Sequence, residues 1–181
     1  MTTPPVDLDT LVMPAMRTVV LSLGANLGDT LETLQGAVDL LLATPGVVPV
    51  GVSPIYRTTP VGPVVDQPEF HNLVLVVEAA LSSAMLLDRV NAVEQAYGRE
   101  RDEPGGPRTL DVDIITIGDR QIDRADLVVP HPRAHERAFV LVPWLDVDPD
   151  AVLPGRGRVA DLLSDVDTTG VTRTDEAIIL S

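Results

Sequence analysis

Phe70-His71-Asn72-Leu73-Val74-Leu75-Val76-Val77-Glu78 is the stretch from which the fold can be worked out. It has no proline or glycine, is rich in β-branched residues, and alternates as a strand does. Phe70, Asn72, Val74 and Val76 share one face; His71, Leu73, Leu75 and Val77 share the other. Upstream, Val47 to Tyr56 is also β-branched but is interrupted by Pro49 and Pro54, which predicts an edge strand or a bulged one. Further upstream, the apolar run Val19 to Leu23 reads as a buried strand that ends at Gly24. After the turn Gly24 to Gly28, Asp29 and Glu32 have N-cap and N3 spacing. Leu31, Leu34, Val38, Leu41 and Leu42 then mark a helical face, with Pro45-Gly46 as its stop.

Downstream, Ser82 or Ser83 caps a second helix, in which Leu86, Val90, Val93 and Tyr97 recur at helical spacing before Gly98 ends it. A polar loop from Arg99 to Thr109 leads into a strand, Leu110 to Ile117. The order β-α-β-β-α-β is the split unit of ferredoxin-like α+β folds. The appended C-terminal part predicts a hairpin over Gln121 to Val129 and short helices around Ala134 to Leu145 and Val159 to Leu163. The expected organisation is an unstructured extension over 1–16, a single domain over 17–165 and a weakly structured tail over 166–181.

Composition limits the chemistry. With 181 residues, 45% hydrophobic and 22% charged, the chain has the make-up of one globular domain. Its net charge of −14 argues against nonspecific nucleic-acid binding and against an anionic membrane surface, since both need a basic face. There is no cysteine, which removes disulfides, thiolate nucleophiles and thiolate metal sites. All 13 basic side chains are arginine, so a Walker lysine and a Schiff base are excluded as well. No apolar run approaches the roughly 20 residues that span a bilayer. Asp7 and Asp9, with no basic residue before Arg17, are the wrong charge pattern for a signal peptide, and a cytoplasmic protein is expected.

Three clusters carry the chemistry. Asp111-Val112-Asp113 puts two carboxylates on one face of a strand while Leu110, Val112 and Ile114 fill the other. Such a pair suits Mg²⁺, which takes one or two protein carboxylates and completes its shell with water and phosphate oxygens. An arbitrary Asp-x-Asp is more often a solvated acidic face. Here Gly98-Arg99-Glu100-Arg101 and Gly105-Gly106-Pro107-Arg108 bring arginine forks and flexible glycines close by, and arginine binds phosphate in a bidentate manner. In the second cluster Phe70 and Asn72 set an aromatic plane beside an amide that both donates and accepts, an arrangement suited to a flat heterocycle. Alone, this pair is more often a half-buried strand with a satisfied asparagine. The third is Pro130-His131-Pro132-Arg133-Ala134-His135-Glu136-Arg137-Ala138-Phe139, where Pro132 argues against a helical His-x-x-x-His zinc pair.

Taken in order, these segments resemble the hydroxymethyl-dihydropterin pyrophosphokinases of folate synthesis. The matches are Leu21-Ser22-Leu23-Gly24-Ala25-Asn26-Leu27-Gly28, Ser53-Pro54-Ile55-Tyr56-Arg57-Thr58, Gln67-Pro68 with Asn72, Gly106-Pro107-Arg108-Thr109-Leu110-Asp111-Val112-Asp113, and Pro130-His131-Pro132. The resemblance implies transfer of pyrophosphate from ATP to the pterin hydroxymethyl group, leaving AMP. It implies that Asp111 and Asp113 hold two Mg²⁺ ions and that Arg99 and Arg108 follow the phosphates as catalytic groups. Asn91, Glu94, Arg101, Ile114, His131 and Arg137 match ATP-contacting positions. Thr58, Thr59, Val61, Phe70, Asn72 and Phe139 match the pterin pocket. A monomer with a folate-pathway protein as a conceivable neighbour is expected.

The chain departs from the family pattern where Gly105 and Pro104 stand in place of the usual Trp and Arg, where Pro132 replaces a Tyr of some members, and where Gly62 to Asp66 runs one residue longer. Two glycines at Gly105-Gly106 raise the entropy cost of closing that loop. Rival readings are a two-metal nucleotidyltransferase and a pterin- or nucleotide-binding module with impaired catalysis.

Overall fold

The computed structural model describes residues 15–60, 66–98 and 109–181. The extension over 1–14 lies outside them. The run at Val19 grows into β1 (Arg17–Ala25), buried from Val19 onward. β4 (Phe70–Ala79) lies antiparallel along its whole length, from Arg17 opposite Ala79 to Ala25 opposite His71. β5 (Asp111–Ile117) takes the other side of β1. The interrupted segment resolves into two strands on one edge of β4. β2 (Val47–Val52) pairs with Leu75 to Ala79, and β3 (Tyr56–Thr58) pairs with Phe70 to Asn72.

The prolines explain the break, because a proline cannot donate to the ladder. The β2 register slips between Pro49 and Gly51. Ser53 then bridges the gap: its amide donates to the Val74 carbonyl at 2.9 Å, and its Oγ accepts the Val74 amide at 2.9 Å. The sheet order, β3-β4-β1-β5 with β2 also beside β4, is that of a ferredoxin-like domain.

Both expected helices form at the expected caps. α1 (Thr30–Leu42) starts with the Asp29 carboxylate accepting the Glu32 amide at 3.0 Å, and α2 (Ser83–Ala96) starts with Ser82 Oγ accepting the Met85 amide at 3.2 Å. Leu34, Val38, Leu41, Leu86, Val90 and Val93 pack on Leu21, Leu23, Leu73, Leu75 and Val112. A third helix, α3 (Ala138–Val147), covers the opposite face, where Val140, Leu141 and Trp144 meet Val20, Val74, Val76 and Ile115. β1 and β4 are therefore apolar on both sides because both sides are buried. A register shift between Val20 and Leu21 leaves Ile115, on the α3 side, as the extra residue and reverses the alternation beyond it, so that Ile114 and Ile117 both face α1 and α2.

The appended hairpin is present as β6 (Ile122–Asp123) and β7 (Val128–Val129). A single 3₁₀ turn, Ala134–Glu136, precedes α3. A second hairpin that the sequence did not announce, β8 (Val152–Leu153) with β9 (Gly157–Arg158), precedes α4 (Val159–Leu162) and the 3₁₀ turn Leu163–Asp165. The segment 166–181, expected to be weakly structured, instead contributes β10 (Val171–Arg173) to the main sheet beside β3. Three residues between polar turns are too short for a periodic signal, and only the unpaired edge of β3 gives them a place. No helix of the described residues is long and apolar enough to cross a membrane.

Candidate active site

Strand register assembles one surface. Directly opposed residues share a sheet face, and the pairs Tyr56–Asn72, Asn72–Gly24 and Gly24–Asp111 form one row across four strands. The flanking rows add Thr58 opposite Phe70 on one side and Val74–Ser22–Asp113 on the other. Phe70, Asn72, Asp111 and Asp113 consequently lie on the α3 side of the sheet, toward which Arg137 and Phe139 also lead at the start of α3.

At the Asn72 end the geometry is tight. Asn72 and Thr58 are 5% and 4% exposed, and Asn72 Nδ2 donates to Thr58 Oγ1 at 2.6 Å. A Cβ on Gly24 would fall 2.4 Å from Asn72 Oδ1, so only glycine leaves the amide its place. Asn26 Nδ2 donates to Gln67 Oε1 at 2.9 Å and to the Pro68 carbonyl at 3.1 Å, tying the exit of β1 to the segment entering β4. Beside this lies a cleft of about 640 Å³ lined by Thr58, Thr59, Pro60, Arg137 and Phe139, and also by Asp167, Thr169 and Gly170. Phe70 is half-buried on the same sheet face but is not part of this lining.

At the carboxylate end Asp111 and Asp113 are both half-buried. Arg137 Nη1 is 3.5 Å from Asp113 Oδ2, and the guanidinium carbon is 5.5 Å from the Phe139 ring centroid. Two carboxylates at i and i+2 on a rigid strand fit Mg²⁺, which asks for hard oxygen donors and few of them from protein. His131 is held down to about 4 by burial first and Arg137 second, with Asp111 opposing. It is neutral at pH 7, and because Nδ1 accepts the Arg133 amide at 3.2 Å the ring proton sits on Nε2.

The remaining ATP candidates separate. Glu94, 3% exposed, has Oε1 accepting the Val112 amide at 2.8 Å, so it braces β5 between the two aspartates. The Ile114 side chain is 5% exposed and packed in the core under α1 and α2, which leaves its main chain for any ligand contact. Asn91 is exposed on α2. Val61, Arg99, Arg101 and Arg108 lie outside the described residues. The sequence marks Gly24 as a strand end and as part of the matched segment Leu21 to Gly28 but gives no sign of its contact with Asn72, and it offers no motif for Asp167 to Gly170.

Fold and side chains together define a ferredoxin-like domain whose candidate site residues gather on one face of the sheet. Residues 20–149 match the family model of 7,8-dihydro-6-hydroxymethylpterin-pyrophosphokinase (HPPK). A 2-amino-4-hydroxy-6-hydroxymethyldihydropteridine pyrophosphokinase of Synechocystis is 42% identical over 153 residues, covering 84% of this chain and 77% of that protein. One from Mycobacterium leprae is 45% identical over 167 residues, covering 85% of each. Among solved structures, a Plasmodium falciparum HPPK-DHPS triple mutant with SDX-DHP superposes with a TM-score of 0.68 at 15% identity, over 88% of this chain. The chain spans 46% of that longer one. The chain belongs to the HPPK family, whose reaction is the transfer of pyrophosphate from ATP to 6-hydroxymethyl-7,8-dihydropterin in folate biosynthesis.

Proposed function

We propose that residues 17–165 form one catalytic domain, its sheet extended by β10, in which Asp111 and Asp113 hold two Mg²⁺ ions, with Arg99 and Arg108 as catalytic groups on the phosphates. Bound there, Mg²⁺ supplies charge neutralisation on the nonbridging oxygens and orients the reacting groups in line. The chain's own residues do the positioning. Asn72, its amide direction set by Thr58 and Gly24, reads the heterocycle edge, and Phe139 with Phe70 supplies aromatic walls. Thr58, Thr59 and Val61 line the pterin pocket. Arg137, His131, Arg101, Asn91, Glu94 and the main chain at Ile114 serve the nucleotide, with Glu94 acting through β5.

The observation that carries this reading is the shared face: the row Asn72–Gly24–Asp111 sets the heterocycle reader two strands from the first carboxylate. Neighbouring strands are about 4.8 Å apart, so the two are separated by roughly the span of a pterin and its hydroxymethyl group. A cytoplasmic monomer is proposed, with a second enzyme of the folate pathway as neighbour; the two-part HPPK-DHPS chain of Plasmodium supports that association. The test is incubation with Mg-ATP and the reduced pterin, followed by mass analysis. AMP and the pterin diphosphate are expected; release of pyrophosphate with transfer of AMP would point to a nucleotidyltransferase, and binding without turnover to an impaired module.

A further inference from the structure

Residues 166–181 follow the stretch that the family model matches, and they are built into both the sheet and the cleft. β10 hydrogen-bonds along β3, with Val171 opposite Thr58 and Arg173 opposite Tyr56. The Thr59 amide donates to the Gly170 carbonyl at 3.0 Å. Beyond β10 the chain is pinned twice more. The Thr174 amide donates to the Ile55 carbonyl at 2.9 Å, and the Ile55 amide donates to the Glu176 carbonyl at 3.1 Å. Ile178, 7% exposed, then enters the core beneath α1, while the Gln35 side chain exchanges two hydrogen bonds of 2.9 Å with the Ile179 main chain. Anchors on both sides of the sheet order the segment, which a three-residue strand could not achieve by itself.

The contact at Gly170 is the close one. A Cβ there would stand 3.3 Å from Thr59 Oγ1 and 3.4 Å from Thr59 Cβ, so any side chain larger than hydrogen presses on Thr59. Thr59, Pro60, Gly170, Val171 and Phe139 all line the cleft, with Thr59 and Gly170 adjoining. Thr59 lies just beyond the end of β3 at Thr58.

We infer that the C-terminal segment Asp167–Val171 is a wall of the pterin cleft and that Gly170 is a positioning residue, setting Thr59 and through it the affinity for the pterin. This rests on the pterin assignment of the cleft made above. A structural brace alone would change stability; a positioning role changes pterin binding selectively, because of the described nucleotide candidates only Arg137 lines the cleft that Thr59 and Gly170 share.

The test uses the full chain and measures dissociation constants for the reduced pterin and for Mg-ATP separately, with melting temperature alongside. Gly170→Val is expected to weaken pterin binding about 10-fold while ATP binding stays within about twofold, since displacing a binding wall by a fraction of an ångström costs on this scale. If the valine variant does not fold, Gly170→Ala, which asks Thr59 to give only a few tenths of an ångström, is expected to weaken pterin binding about threefold. Unchanged pterin binding in a folded variant, or equal losses for both ligands, overturns the inference. Wild-type protein that binds no pterin at all overturns the cleft assignment, and the inference with it.

Discussion

Arg137 reaches Asp113 across the cleft mouth, with Nη1 3.5 Å from Oδ2, while its guanidinium lies over the ring of Phe139 at 5.5 Å. One side chain thus touches both the carboxylate assigned to metal and the aromatic wall assigned to pterin. A guanidinium so placed balances Asp113 and offers its fork to incoming phosphate oxygens.

Asp113→Asn keeps the shape of the side chain and removes one charge. Turnover should fall at least ~100-fold, given the several kcal/mol that a bound metal contributes to charge stabilisation. The melting temperature should hold within a few degrees, because the side chain is only half-buried and makes no part of either core. Near-normal turnover at saturating Mg²⁺ would withdraw Asp113 from the metal site.

Gly24→Ala tests the row across the sheet. The added methyl would meet Asn72 Oδ1 at 2.4 Å, so the Asn72 amide must turn or the strands must part. Pterin affinity should drop about 10-fold, the value of one misplaced buried hydrogen bond, with ATP affinity unchanged. Calorimetry with each ligand alone decides; intact pterin binding would show that Asn72 does not read the heterocycle.

What the sequence disclosed, and what it hid, follows from the range of each signal. Asp29 and Ser82 were legible because a cap and its partner sit three residues apart. The Asp111–Asp113 face was legible because strand alternation is local. The resemblance assigns Glu94 to the nucleotide, while the hydrogen bond its buried carboxylate accepts from the Val112 amide joins residues 18 apart, beyond the reach of any local pattern. β10 and the Gly170–Thr59 contact link segments more than 100 residues apart, and no periodicity spans such a distance. The break between β2 and β3 lies between these cases: the prolines predicted a disturbed strand, while the Ser53 bridge that repairs it belongs to tertiary structure.

Tyr56 gives a pH signature. Burial, then its hydrogen bond to Asp146 and that carboxylate's charge, push the phenol up to about 12 from 10.0, with Arg173 opposing. The folded protein keeps a proton that the unfolded chain sheds above pH 10, so this contribution to stability is complete below pH 10 and is lost as pH rises toward 12. Tyr56→Phe should therefore flatten the decline in melting temperature between pH 10 and 12. At pH 7 it should cost only about 1 kcal/mol, because Asp146 is exposed and water replaces the lost donor. A decline as steep in the variant as in the wild type would place the alkaline transition elsewhere.

Phe139 separates the two ligands. It lines the cleft, packs against the α3-side core, and carries the Arg137 guanidinium on its face. Phe139→Ala removes a stacking plane and buried ring area, which should weaken pterin binding by about 1–3 kcal/mol. Part of the change will fall on stability, because the ring is partly buried, so melting temperature must be followed in parallel. ATP binding should change little, since Arg137 keeps its contact with Asp113 when the ring is gone. Calorimetry below the melting transition of the variant checks both ligands. A loss confined to pterin supports the aromatic wall, whereas equal losses for pterin and ATP would mean that Phe139 acts only by holding the start of α3 in place.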